Sequence, residues 1–376
     1  MVDEWDCVFR IIKSNDELKK QYLDYWSSLL KGQPYVALAY MTGILPIRQY
    51  GHQSVLNMFN EYTMLNSYEF AQFIGYTSED VKKLCDQFDV SYEDMQMWYD
   101  GYTLDGVELY CPRSVNSAIS NKRFGSYWTS TDSYESLVKY ITMNFDGLKD
   151  AVSMLLADQK IEINTRTFAN DMFDFNSKDD VLTALIHLGY LSCTKTFNPV
   201  LTDTFNVSIP NKEIASEFVS GMQLTGNWKS LTKAILGSLQ LIEDTLQQNA
   251  ESVAKQIQEV HLSVGNKFYN NEQALASTIR IAYYGASAYY KMIEEMPSGR
   301  GYADVVLIPR NNVDSQKYLP MIIELKWDKT ANAAIEQIKN KQYPHIFREF
   351  EKILLVGINY DPDNDQHDCM IEEYKI

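Results

Sequence analysis

Three side chains late in the chain have the types and spacing for metal-assisted hydrolysis: Asp304, Glu324 and Lys326. Glu324 and Lys326 lie in the run Ile322-Ile323-Glu324-Leu325-Lys326-Trp327. Residues two apart on a strand point to one side, so this carboxylate and ammonium project together while Ile323 and Leu325 face the other way. An unpaired charge is costly to bury, so the pair must be solvated, bridged or bound to something. Mg²⁺ takes hard oxygen ligands, typically one or two carboxylates with water and substrate phosphate completing the shell. Asp304 and Glu324 on neighbouring strands would supply those carboxylates, and the Leu325 carbonyl could add an oxygen. Lys326 would hold or activate the attacking water or offset charge on the phosphorane. That set suits phosphodiester hydrolysis with Mg²⁺ or Mn²⁺. Glu272 is a candidate outer ligand, and Gln337 and Tyr343 follow the strand on the next helix. A bare Glu-x-Lys is also common on exposed edge strands, so its context has to carry the reading.

The elements that would position these groups begin near residue 265. A helix over residues 272–293 leads through Gly299-Arg300-Gly301 to strands at 302–309 and 321–327. A helix from Ala331 to about Phe347 and a third strand at 352–358 complete a compact α/β domain. Upstream, the apolar run at 35–42 closes on Gly43 and suits a buried strand. Thr77 followed by Glu79 and Asp80 reads as a helix cap. Residues 180–188 carry a helical apolar period ended by Gly189. Two strands at 190–195 and 204–209 would flank Asn198-Pro199, giving a winged-helix-like module. Residues 227–262 read as helical. The expected domains are 1–125, 126–262 and 263–376.

With 34 Lys and Arg against 50 Asp and Glu, the net charge is −16. Such a chain is not held to nucleic acid by its overall field, and a local basic path or a bound metal would be needed. Residues 265–376 are closer to neutral, with 13 Lys and Arg against 16 Asp and Glu, and Lys339, Lys341 and Arg348 could form that path. His345 is a further candidate for substrate contact. Five cysteines, none in a C-x-x-C pair, argue for free thiols in a reducing cytoplasm. The longest apolar runs, 305–309 and 353–357, are far short of the roughly 20 residues that span a bilayer. No membrane partner is expected, and a homo-oligomer is compatible with the sequence.

Taken together, Asn271-Glu272, Gly299-Arg300-Gly301-Tyr302-Ala303-Asp304, Ile323-Glu324-Leu325-Lys326, Ala334-Ile335-Glu336-Gln337-Ile338, Lys341-Gln342-Tyr343 and Val356-Gly357-Ile358 resemble the PD-(D/E)XK nuclease superfamily. The similarity is greatest to the branch at the C-terminus of bacterial AAA-ATPase-like proteins. The resemblance implies a restriction-endonuclease-like core, Asp304, Glu324 and Lys326 as motif residues, and Glu272 and Gln337 as accessory positions. Arg300 stands one residue out of its common place, which bears on substrate contact more than on metal binding.

The N-terminal part extends the resemblance. Val2-Asp3-Glu4-Trp5-Asp6 resembles the end of a Walker B strand, where the first acid positions Mg²⁺ and the second orients water. Asp3 and Glu4 would take those roles, and Thr42 would end the strand that senses nucleotide. Gly75-Tyr76-Thr77, residues 98–102 and Pro112-Arg113-Ser114-Val115 also match that family. A nucleotide site needs G-x-x-x-x-G-K-[ST] to cradle phosphates. Gly101 to Gly106 and Gly221 to Gly226 have the glycine spacing without the lysine. Only Met1 and Val2 precede Asp3, where an intact buried strand would show several apolar residues, so the sequence is expected to begin within a domain. ATP is expected to bind only if the missing P-loop is supplied, and ATPase activity is not expected of this chain alone. The sequence therefore predicts an α/β multi-domain protein: a partial AAA-type α/β and helical part, a helical winged-helix-like middle and a restriction-endonuclease-like end. It predicts a metal-dependent nuclease acting on DNA or RNA. The competing expectation is an NTP-regulated scaffold whose nuclease fold is catalytically silent.

Overall fold

The structure, a computed structural model, describes residues 1–12, 15–44, 56–128, 133–168, 175–264, 272–298, 301–311, 313–314 and 316–376. The chain divides into two compact units, one of residues 1–155 and 160–224, the other of 156–159 and 225–376.

The first unit runs α1 (Cys7–Ile11), α2 (Asp16–Leu30), β1 (Tyr76–Thr77), α3 (Ser78–Phe88), α4 (Tyr92–Tyr99), β2 (Tyr102–Leu104), β3 (Val107–Tyr110), α5 (Pro112–Asn121), α6 (Ser133–Ile141), α7 (Leu148–Leu156), β4 (Ile161–Asn164), α8 (Lys178–His187), β5 (Ser192–Lys195), β6 (Thr204–Ser208) and α9 (Lys212–Gln223). Thr77 and Asp80 form a reciprocal capping box that starts α3. The expected hairpin is present as antiparallel β5 and β6, and β4 extends it into a three-stranded sheet. The run at 35–42 is not a buried strand. Tyr35, Leu38 and Tyr40 are exposed, and only Met41 makes a bridge, parallel to Val2. A single bridge buries little, and of this run Met41 packs against the Trp5, Phe9 and Leu23 cluster.

The second unit holds α10 (Lys229–Leu246), α11 (Ala250–Val264), α12 (Glu272–Ala282), β7 (Tyr290–Ser298), β8 (Gly301–Pro309), β9 (Met321–Trp327), α13 (Ala331–Asn340), β10 (Lys352–Asp361) and β11 (Gln366–Lys375). The two helices at 229–264, assigned by sequence to the connector, group with the sheet. The sheet order is β11-β10-β9-β8-β7. β9 and β10 are parallel and the other pairings antiparallel. Successive β11 residues face opposite sides: Asp368 accepts from the first N–H of α13, whereas His367 meets Gln258 of α11. The sheet is thus covered on both faces, and the first six residues of β9 are buried.

Two sequence expectations change here. The helix from 272 ends at Ala282, and Tyr290–Ser298 is strand β7. The backbone at Gly285 runs against α10, where an added Cβ would come within 2.7 Å of Ser238 Oγ. The sheet also has five strands, three of which the sequence revealed. The missed pair, β7 and β11, are its edges and are rich in Glu and half-buried residues. The central strands, covered on both faces, read as continuous apolar runs.

Candidate active site

Asp304 and Glu324 arrive from β8 and β9. The antiparallel ladder pairs Val305 with Ile323 and then stops. At the next position the Asp304 carboxylate replaces the backbone ladder, its Oδ2 accepting the Leu325 N–H at 2.7 Å. Glu324, almost fully buried, accepts from Lys326 Nζ at 3.0 Å through Oε1. The same ammonium donates to the Leu325 carbonyl at 2.8 Å. Gln337 Nε2, from α13, also donates to Glu324 Oε1. Glu324 Oε2 is buried and has no hydrogen-bond partner.

Local packing fixes this arrangement. Gly357 on β10 is the parallel partner of Glu324 and faces α13. A Cβ there would fall 2.3 Å from the Ala331 carbonyl oxygen. Glycine therefore lets α13 lie close enough for Gln337 to reach Glu324. Asn359 and Asp368 secure the start of that helix. Asn359 brackets Lys329 with bonds to its N–H and carbonyl at 3.0 and 3.1 Å and donates to Asp368 at 2.8 Å. Asp368 in turn accepts the Ala331 N–H at 2.8 Å. This support joins residues far apart in sequence, so spacing alone does not show it. Its single visible signal was an Asn in an otherwise apolar strand. Tyr343 is buried beside the site, and an added Cβ at Gly301 would lie 2.9 Å from its hydroxyl.

Burial raises the Glu324 pKa to about 7, reinforced by the neighbouring Asp304 charge and opposed by Lys326. Burial raises the Tyr343 hydroxyl, opposed by its bond to Gln337, with the Glu324 and Asp304 charges adding to the rise. An orphaned buried carboxylate oxygen is costly unless something occupies it. Among the described residues, no group of three or more His, Cys, Asp or Glu is placed to hold a metal. Two carboxylates nonetheless match the usual protein share of a Mg²⁺ shell. The residues fit such an ion, which Asp304 and Glu324 would hold.

Five strands in this order, with one parallel pair at the centre, are consistent with a restriction-endonuclease-like fold. The family comparison agrees with the geometry. Residues 270–369 match the family model of the PD-(D/E)XK nuclease superfamily. No curated protein and no solved structure matches the chain.

The structure brings Asp304, Glu324, Lys326 and Gln337 of this matched segment together. Glu272 opens α12, and its side chain lies outside the described residues, as do Arg300 and the side chain of His345. The expected phosphate path is altered at Lys339, which is held by Glu372 at 2.7 Å and lies 3.8 Å from Glu336. Lys341 and Arg348 are exposed. In the first unit Thr42 Oγ1 donates to Asp3 Oδ1, and Glu4 is exposed with φ of 49°.

Proposed function

We propose that this chain is a metal-dependent phosphodiester hydrolase, a nuclease acting on DNA or RNA through Asp304, Glu324 and Lys326. The observation that carries the reading is the buried Glu324, with one oxygen paired to Lys326 and the other without a hydrogen bond, on the strand beside Asp304 where the β8–β9 ladder ends. The match of residues 270–369 to the nuclease superfamily supports it. A bound Mg²⁺ or Mn²⁺ supplies a Lewis acid and a more acidic water. Asp304 and Glu324 hold the charge that attracts such an ion, and the Leu325 N–H fixes the Asp304 carboxylate. Gln337 fixes Glu324. Lys326 places a cation beside the attacked phosphate, where it orients water and offsets developing negative charge. Glu272 is kept as an accessory ligand.

Asp3, Glu4 and Thr42 are assigned to a remnant of an AAA-type nucleotide site, supported by the Val2–Met41 bridge and the Thr42–Asp3 bond. No ATP hydrolysis is expected of these residues without a P-loop. All five cysteines are free, which supports a reducing, cytoplasmic setting. No described helix is long and apolar enough to cross a membrane.

The test is cleavage of single- and double-stranded DNA and RNA with Mg²⁺ or Mn²⁺, comparing the wild type with Asp304→Ala and Lys326→Ala. Each substitution should reduce the rate by about 100-fold or more. Equal cleavage by all three proteins would remove the site assignment. No metal-dependent cleavage of any substrate would favour the silent-scaffold alternative.

A further inference from the structure

The Leu325 carbonyl and Glu324 Oε1 are the oxygens a hard cation would seek, and both are bonded to Lys326 Nζ, at 2.8 and 3.0 Å. The ammonium is buried, as is the carboxylate it serves. A pocket with two carboxylates in low dielectric needs a positive charge, and unpaired it would be severely destabilising. Lys326 provides that charge from within the chain. A divalent ion binds oxygens at about 2.0–2.6 Å and repels an ammonium held on the same atoms. The two cations therefore cannot share Leu325 O and Glu324 Oε1 in the geometry seen here.

We propose that Lys326 is an exchangeable internal cation: it occupies the metal-facing oxygens of the metal-free site, and divalent-ion binding drives its ammonium off the Leu325 carbonyl and Glu324. The proposal rests on the metal-dependent reading above and adds a step to it. Displacement would couple arrival of the ion to release of the ammonium, which then becomes available to the water and phosphate. The lysine acts as a place-holder, and its bond to Glu324 is one half of an exchange.

The exchange has two readouts independent of cleavage. In the wild-type full chain, amine-reactive labelling followed by peptide mass spectrometry should show Lys326 protected without metal and more reactive once Ca²⁺ is added. Lys352, which pairs with Glu373 at 2.9 Å, serves as a reference whose labelling stays constant. Calorimetric titration with Ca²⁺ at pH 8.5 should show Lys326→Met binding at least about tenfold tighter than wild type, because a competing unit charge has gone. Lys326→Gln provides a second neutral variant should the methionine protein not fold, and Asp304→Asn should abolish binding. Unchanged Lys326 labelling together with equal or weaker Ca²⁺ binding by the neutral variants would overturn the exchange while leaving an Asp304-dependent metal site intact. Wild-type binding that is absent, or that Asp304→Asn does not diminish, would overturn both the exchange and the metal-dependent reading.

Discussion

Replacing Gly357 with alanine tests the packing that brings Gln337 to Glu324. The added Cβ would lie 2.3 Å from the Ala331 carbonyl oxygen, 3.1 Å from Ala334 Cβ and 3.1 Å from Ile335 Cγ1. The nearest obstacle is backbone in the first turn of α13, so no side-chain rotation relieves it. Either the helix moves away or β10 distorts. Overpacking of this kind typically costs about 1–3 kcal/mol, and a backbone obstacle argues for the upper part of that range. Gly237, inside α10, is the internal comparison, because an added Cβ there has nothing within 4 Å. Alanine at that position should stabilise by about 0.5–1 kcal/mol through helix propensity alone. Hydrogen-exchange mass spectrometry on both variants reads the two sites separately. Gly357→Ala should lower protection in peptides covering residues 331–340 and 352–361, while Gly237→Ala should preserve or raise it. Gly357→Ala should also impair cleavage through displaced α13. Unchanged protection, or a loss below about 0.5 kcal/mol, would refute the claim that close approach at this glycine sets the helix position.

Further outcomes follow from the same geometry. Gln337→Leu removes the α13 donor to Glu324 and should weaken divalent-ion affinity or cleavage by about 10- to 100-fold, checked by calorimetry and initial rates. Burial, with the neighbouring His261 adding to it, lowers the His367 pKa to about 3, so the folded state holds it neutral. The unfolded chain takes up that proton below about pH 6.5, so this contribution to stability is intact above that pH and lost progressively towards pH 3. Urea unfolding between pH 7 and pH 4 should therefore show a shallower acid loss for His367→Gln than for wild type, and parallel curves would count against it.

The chemistry-bearing strands were legible because their pattern is local. In β9 the alternation of Glu324 and Lys326 with Ile323 and Leu325 fixes which side chains share a face, and the structure confirms the shared face through the Lys326–Glu324 bond. Central strands also announce themselves by apolar runs, as β9 and β10 do. The cap at Thr77 is equally local, since donor and acceptor lie three residues apart.

Tertiary structure decided what depends on neighbours distant in sequence. The edge strands β7 and β11 owe their conformation to β8 and β10, and their half-polar composition gives little sign of it. The run at 35–42 has the composition of a buried strand, yet Tyr35, Leu38 and Tyr40 are exposed. Lys339 belongs by sequence to a basic path, but β11 brings Glu372 to it and pairs its charge. The Asp304 carboxylate is held by a backbone N–H twenty-one positions away, and Glu324 is left with one satisfied and one orphaned oxygen. Residue types and period-two spacing settle which groups can act together. Only burial and long-range hydrogen bonding settle what charge each group bears and which atoms remain available.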